Sequence, residues 1–150
     1  MITKPKVRKR RIAKILAGGG TSLTNSLDRL PPLVAEVISS QASLDPEEEP
    51  LVASFLRSDH WCLATTSRFI WRDADQAAAL RWEEIRDVRL TDSDWRLLFD
   101  GLKPKDTLKE LLITDGAAKE HSLILAPGSG FLIIWSVLLA LCARKPSTSR

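Results

Sequence analysis

The chain has 150 residues, 44% of them apolar and 27% charged, with a formal net charge of +3 and two cysteines. That length holds one domain with a sizeable core plus an arm, and the composition excludes disordered, collagenous and disulfide-scaffold classes. Residues 1–14 hold seven basic and no acidic side chains, which leaves 15 of the 22 basic residues against all 19 acidic ones, a net of −4, so the basic character belongs to the arm and not to the domain.

Met1 to Lys14 carries too few apolar residues to fold alone. Ile12, Ile15 and Leu16 nevertheless recur at helical spacing behind the basic cluster, which allows a short amphipathic turn ended by Gly18-Gly19-Gly20. Lys6, Arg8, Lys9, Arg10, Arg11 and Lys14 are the candidate polyanion-binding residues. Their targets are an anionic membrane surface, where each Lys or Arg contributes about 1 kcal/mol, or nucleic acid bound without sequence specificity; the bland alternative is a solvated tail. The start lacks the basic, apolar and cleavage-site order of a secretory leader, which points to a cytoplasmic protein, peripheral to the membrane if the arm binds lipid. The expected organisation is a flexible arm and linker at 1–25, a helical region at 26–46, the main domain at 47–145 and a disordered tail at 146–150.

Pro31-Pro32 opens a helix that runs to about Gln41, with Leu33, Val34, Val37 and Ile38 on its apolar side. The acidic run Asp45-Pro46-Glu47-Glu48-Glu49-Pro50 reads as a solvated loop, because adjacent glutamates fan apart and lack a His or Asp at ligand spacing. Leu51 to Leu56 is the first strand. Trp61, Leu63 and Thr65 then alternate with Cys62, Ala64 and Thr66, and Phe69 and Trp71 with Ile70 and Arg72, so two strands meet at the Ser67-Arg68 corner. After Asp73-Ala74-Asp75-Gln76 come a strand at Ala79–Trp82, a turn, and a further strand around Ile85 and Val88. Trp95 to Phe99 reads as another strand, and Leu108–Thr114 and His121–Leu125 as a hairpin in which Asp115-Gly116 supplies the positive φ. The tryptophans on strands are expected to be half-buried, with Trp71 or Trp82 open to a ligand.

The run ATTSRFIWRD, followed after a small-residue linker by LRWEEIRDVRL, resembles the pattern of bacterial pleckstrin-homology-like domains, the group bordering on GRAM and YokE-type domains. The resemblance covers roughly residues 48–144. It implies a mainly β, α+β fold: a bent antiparallel sheet, partly closed as a barrel and capped by a C-terminal helix, here with an extra N-terminal helix. Lipid-binding relatives place Lys and Arg around the first strand connection, whereas this chain has Arg57-Ser58-Asp59-His60 there, so the resemblance does not carry a phosphoinositide site over.

The final helix, Phe131 to Arg144, is too short for a bilayer, which needs about 20 apolar residues. Phe131, Ile134, Trp135, Leu138, Leu141 and Cys142 form one stripe that plugs the sheet. Leu132, Ile133, Val137 and Leu139 fall outside it and are the candidate partner interface. The first expected cover for them is the helix at 31–41, and the second is a twin helix of another subunit or a partner protein.

No catalytic or metal constellation emerges. His60, Cys62, His121 and Cys142 lack ligand spacing, Cys62 reads as packing rather than as a nucleophile, and Gly18-Gly19-Gly20-Thr21-Ser22 lacks the Lys of a phosphate loop. The expectation is therefore a non-catalytic binding module with no cofactor that docks a protein or peptide and can form homo-oligomers. The alternative is a small-ligand-binding barrel or an enzyme with a small polar pocket.

Overall fold

The computed structural model describes residues 5–91, Arg96 and residues 108–142. Its architecture is α+β. Helix α1 (Pro5–Leu16) and the two-residue strand β1 (Thr24–Asn25) precede a 3-10 turn (Leu27–Arg29) and helix α2 (Pro32–Ala42). Strands β2 (Pro50–Arg57), β3 (His60–Thr65), β4 (Arg68–Asp73) and β5 (Gln76–Arg81) follow as a meander, then a second 3-10 turn (Trp82–Glu84) and β6 (Ile85–Leu90). Strands β7 (Glu110–Asp115) and β8 (Glu120–Ile124) form a hairpin, and helix α3 (Ser129–Leu141) ends the described chain. The expected strand at 95–99 lies outside the described residues except for Arg96, which is helical.

The strands form two antiparallel sheets, ordered β1-β2-β3-β4-β5 and β6-β7-β8. They do not close into a barrel, which corrects that expectation. The break falls where Trp82–Glu84 turns the chain away from the first sheet, and Arg81 N–H bonds Glu84 Oε1 at 2.8 Å instead of a strand carbonyl.

Both faces of the sheet at β3 and β4 are buried, so these strands are apolar on both sides. Cys62, Ala64, Phe69 and Trp71 point into the main core with Ile85, Leu111, Ile113 and Leu123 of the second sheet and Phe131, Ile134, Leu138 and Leu141 of α3. Trp61, Leu63 and Ile70 point the other way, against Leu30, Ile38 and Ala42. Helix α2 therefore covers the outer face of the first sheet and not α3, so the expected first cover for the final helix is corrected. Its contact stripe is Val34, Ile38 and Ala42, one turn apart, and Leu33 is left 77% exposed.

The cover of α3 is α1. Residues 5–16 are thus a docked helix where a flexible arm was expected, with Ile12 2% exposed in the main core and Ile15 and Leu16 packed against it. Gly130 permits the close seating of α3, since a Cβ there would lie 2.6 Å from Thr24 Oγ1, a hydroxyl already bonded to Ser54 Oγ. At the β7–β8 turn the positive φ falls on Ala118 (67°) and not on Gly116. Asp115 drives that turn through its side chain, its Oδ1 accepting from the N–H groups of Ala117 and Lys119.

Candidate functional site

The turn between β3 and β4 is the junction at which distant parts of the chain are fastened. Thr65 Oγ1 donates to Glu48 Oε2, Ser67 Oγ donates to the same oxygen, and Arg68 grips Glu48 in a fork with Nε at 2.8 Å and Nη2 at 3.0 Å. Burial by itself would raise the pKa of Glu48; the bonds from Arg68, Thr65, the Asp45 N–H and Ser67 outweigh it and hold the carboxyl at about 2. The solvated acidic loop is corrected here: Glu48 is a buried anchor, and Glu49 meets Lys9 at the surface. Trp82, fully buried, donates its indole N–H to Thr65 O at 2.9 Å. Trp71 is also buried, so neither tryptophan is open to a ligand.

Helix α1 reaches the same junction. Arg8 is 3% exposed, with Nη1 donating to Thr66 O and Nη2 to Glu83 Oε2, each at 2.8 Å, and with its Nε buried without a partner. Burial pushes Glu83 up, but the bond from Arg8 prevails and holds it below its usual range. Arg11 Nη1 donates to Ala140 O at 2.9 Å, supplying a cation to the last turn of α3, which has no basic residue of its own.

The six expected polyanion residues therefore divide. Arg8 is withdrawn by burial, Lys9 is paired with Glu49 at 2.7 Å, and Arg11 caps α3. Lys6, Arg10 and Lys14 are exposed and make no ion pair among the described residues. Spaced four apart, they line one ridge on the side of α1 opposite Arg8 and Ile12. The expected partner interface divides too. Val137 is fully buried, Leu132 and Ile133 are half-buried, and only Leu139, 40% exposed, still faces solvent to a large extent.

An open cleft of about 970 Å³ lies between α1 and the segment from β1 through α2. Ile12, Leu16 and Leu51 give it an apolar floor, Lys9 and Glu49 stand at one wall, and Asn25, Asp28, Arg29 and Ser39 at the other. Sequence reading did not find this cleft. Its only advance signal was the helical spacing of Ile12, Ile15 and Leu16, since the opposite wall is assembled from short polar stretches.

The side chains considered for catalysis are held in structural contacts. His60 sits between Asp59 Oδ1 (2.9 Å from Nδ1) and Asp73 Oδ1 (2.8 Å from Nε2). His121 bonds Asp115 and meets the edge of the Trp71 ring. The bond from His121 is the first of several that hold Asp115 below the usual carboxylate range. Cys62 is buried and its thiol is pushed up to about 12 by that burial, which suppresses the thiolate a nucleophile needs. No group of three or more His, Cys, Asp or Glu among the described residues is placed to hold a metal ion. None of the helices described is long and apolar enough to cross a membrane.

The chain matches no protein-family model, no curated protein and no solved structure.

Proposed function

We propose that the protein is a non-catalytic binding module of pleckstrin-homology-like fold that takes an extended protein or peptide segment in the cleft between α1 and α2. The order of elements, a meander and a second antiparallel sheet followed by a helix packed on both, supports the fold reading. The observation that carries the function is a contrast: His60, His121, Cys62 and Glu48 are tied into the framework, while the cleft is open, with an apolar floor and walls of both charge signs. From Lys9 to Ala17 the α1 wall runs roughly 12 Å, at 1.5 Å per residue, enough for several residues of an extended chain. The ridge of Lys6, Arg10 and Lys14 adds attachment to an anionic membrane surface, and the cytoplasm is the compartment that suits both. Sequence-specific binding of nucleic acid is not part of this reading.

Selection of displayed peptides on the full chain tests the cleft, with Ala13→Trp and Ala35→Trp as variants that fill it. Enriched peptides should lose at least tenfold in affinity for either variant while the melting temperature stays unchanged. No enrichment, or binding indifferent to both substitutions, overturns the reading and leaves the small-ligand alternative.

A further inference from the structure

Strand β5 ends the order of the five-stranded sheet, and no described strand lies beyond it. The N–H of Trp82 bonds Ser67 O, continuing the register in which Arg68 faces Arg81 and Asp73 faces Gln76. Even-numbered residues of β5 therefore turn their backbone groups to β4, and Ala77, Ala79 and Arg81 turn theirs outward. Arg81 N–H is already held by Glu84, which leaves the groups of Ala77 and Ala79 as the edge that no described residue pairs.

Natural edge strands are guarded by proline, lysine, bulges or inward charges. This one has no proline, lysine or bulge: its sequence is QAAALR, its pairing with β4 runs through six residues, its one charge is Arg81 at the end, and Ala77 and Ala79 are exposed. Arg81 stands opposite Arg68 across the β4–β5 pair and makes no ion pair among the described residues. Like charges placed directly opposite are unfavourable.

We propose that β5 pairs with β5 of a second copy of this chain, antiparallel, about a twofold axis through Ala78. Such an axis is perpendicular to the sheet, so residues of the same face must stand opposite each other. Centring on Ala78 places Ala77 against Ala79 of the second copy at both symmetry-related positions, and every group needed for the four resulting hydrogen bonds already points outward. It also places Asp75, exposed at the β4–β5 turn, opposite Arg81 of the second copy, which supplies Arg81 with a counter-charge at both ends. Centring on Ala79 instead would need the N–H that Glu84 holds and would bring Asp75 towards Glu83. Bonding pattern and charge thus favour the register centred on Ala78 over the one centred on Ala79, a self-complementary match that an arbitrary extended segment does not share.

Sedimentation of the full chain over a micromolar to millimolar series should show a monomer–dimer equilibrium. Ala79→Pro removes only an outward donor and leaves the ladder to β4 intact, so it should weaken the dimer at least tenfold without lowering the melting temperature. Asp75→Arg and Arg81→Asp should each weaken it, and together they should restore it. Under mild oxidation Ala78→Cys should cross-link two chains, because facing residues at a non-hydrogen-bonded pair have Cα atoms about 4.5 Å apart, whereas Ala77→Cys should not. A monomer throughout the series overturns the proposal. So does a dimer that ignores the charge reversals, a result that stands even if Ala79→Pro fails to fold.

Discussion

A carboxylate with 2% of its side chain exposed survives at Glu48 because four donor groups converge on it. Its folded pKa of about 2 lies below the ordinary value of 4.5, so the stabilisation is fully present above pH 4.5 and is lost as the pH falls through 2. A lowering of that size corresponds to roughly 3 kcal/mol, the lower end of what breaking a buried ion pair costs. Glu48→Gln should therefore be less stable by about 3 kcal/mol at pH 7. Its deficit should shrink steadily in denaturant titrations between pH 4.5 and pH 2. A deficit that stays constant over that range would show that shape, not charge, holds the corner. The run from Asp45 to Pro50 concealed this residue, because an isolated stretch of glutamates carries no sign of the Arg68 that claims one of them twenty residues on. Thr65, Ser67 and Arg68 were visible as a turn; that they formed a receptor for an anion was not.

At the scale of elements, what the sequence disclosed were the pieces with a strong period. Trp61 to Thr65 and Phe69 to Arg72 alternate cleanly, and α2 and α3 announce themselves by proline, glycine and apolar spacing. Helix α1 was nearly illegible, because its buried stripe contains Arg8, and pattern reading assigns an arginine to solvent. Only two side chains of that helix, Arg8 and Ile12, are buried. Replacing Ile12 by Ala should cost about 3 kcal/mol, within the range for large-to-small core substitutions, and urea unfolding measures it. Arg8→Ala should be of similar severity, since it strands Glu83 and the Thr66 carbonyl, whereas Arg10→Ala on the opposite side should change stability by less than about 0.5 kcal/mol. Equal effects at Arg8 and Arg10 would contradict the docking of α1. Removing residues 1–17 should uncover the face of α3 that α1 covers and yield a protein that aggregates, visible by light scattering.

The whole molecule is electrostatically two-sided, an acidic body carrying a basic helix whose outer ridge is Lys6, Arg10 and Lys14. Changing these three to Gln should weaken binding to vesicles rich in phosphatidylserine by about 3 kcal/mol at low ionic strength, at about 1 kcal/mol per cation. That is more than a hundredfold in a co-sedimentation titration, with no change in melting temperature. Vesicle binding that survives the triple substitution assigns attachment to another surface. Salt should act in the same direction, since the ridge is exposed and screened within about 10 Å at 0.1 M.

The fastening of α1 also sets an order of events in time. Arg8 and Arg11 bond partners 58, 75 and 129 positions further along the chain. On a ribosome, α1 therefore emerges long before its seat is complete, because the carbonyl of Ala140 is made 129 residues after Arg11. Contacts of such long sequence separation are slow to close. Until they do, Ile12, Ile15 and the whole run of cations are exposed to whatever surface the nascent chain meets. In refolding followed by pulsed hydrogen exchange, the amides of β3 and β4 should become protected before those of residues 9–16. A helix that gains protection first would mean that α1 is stable before it docks.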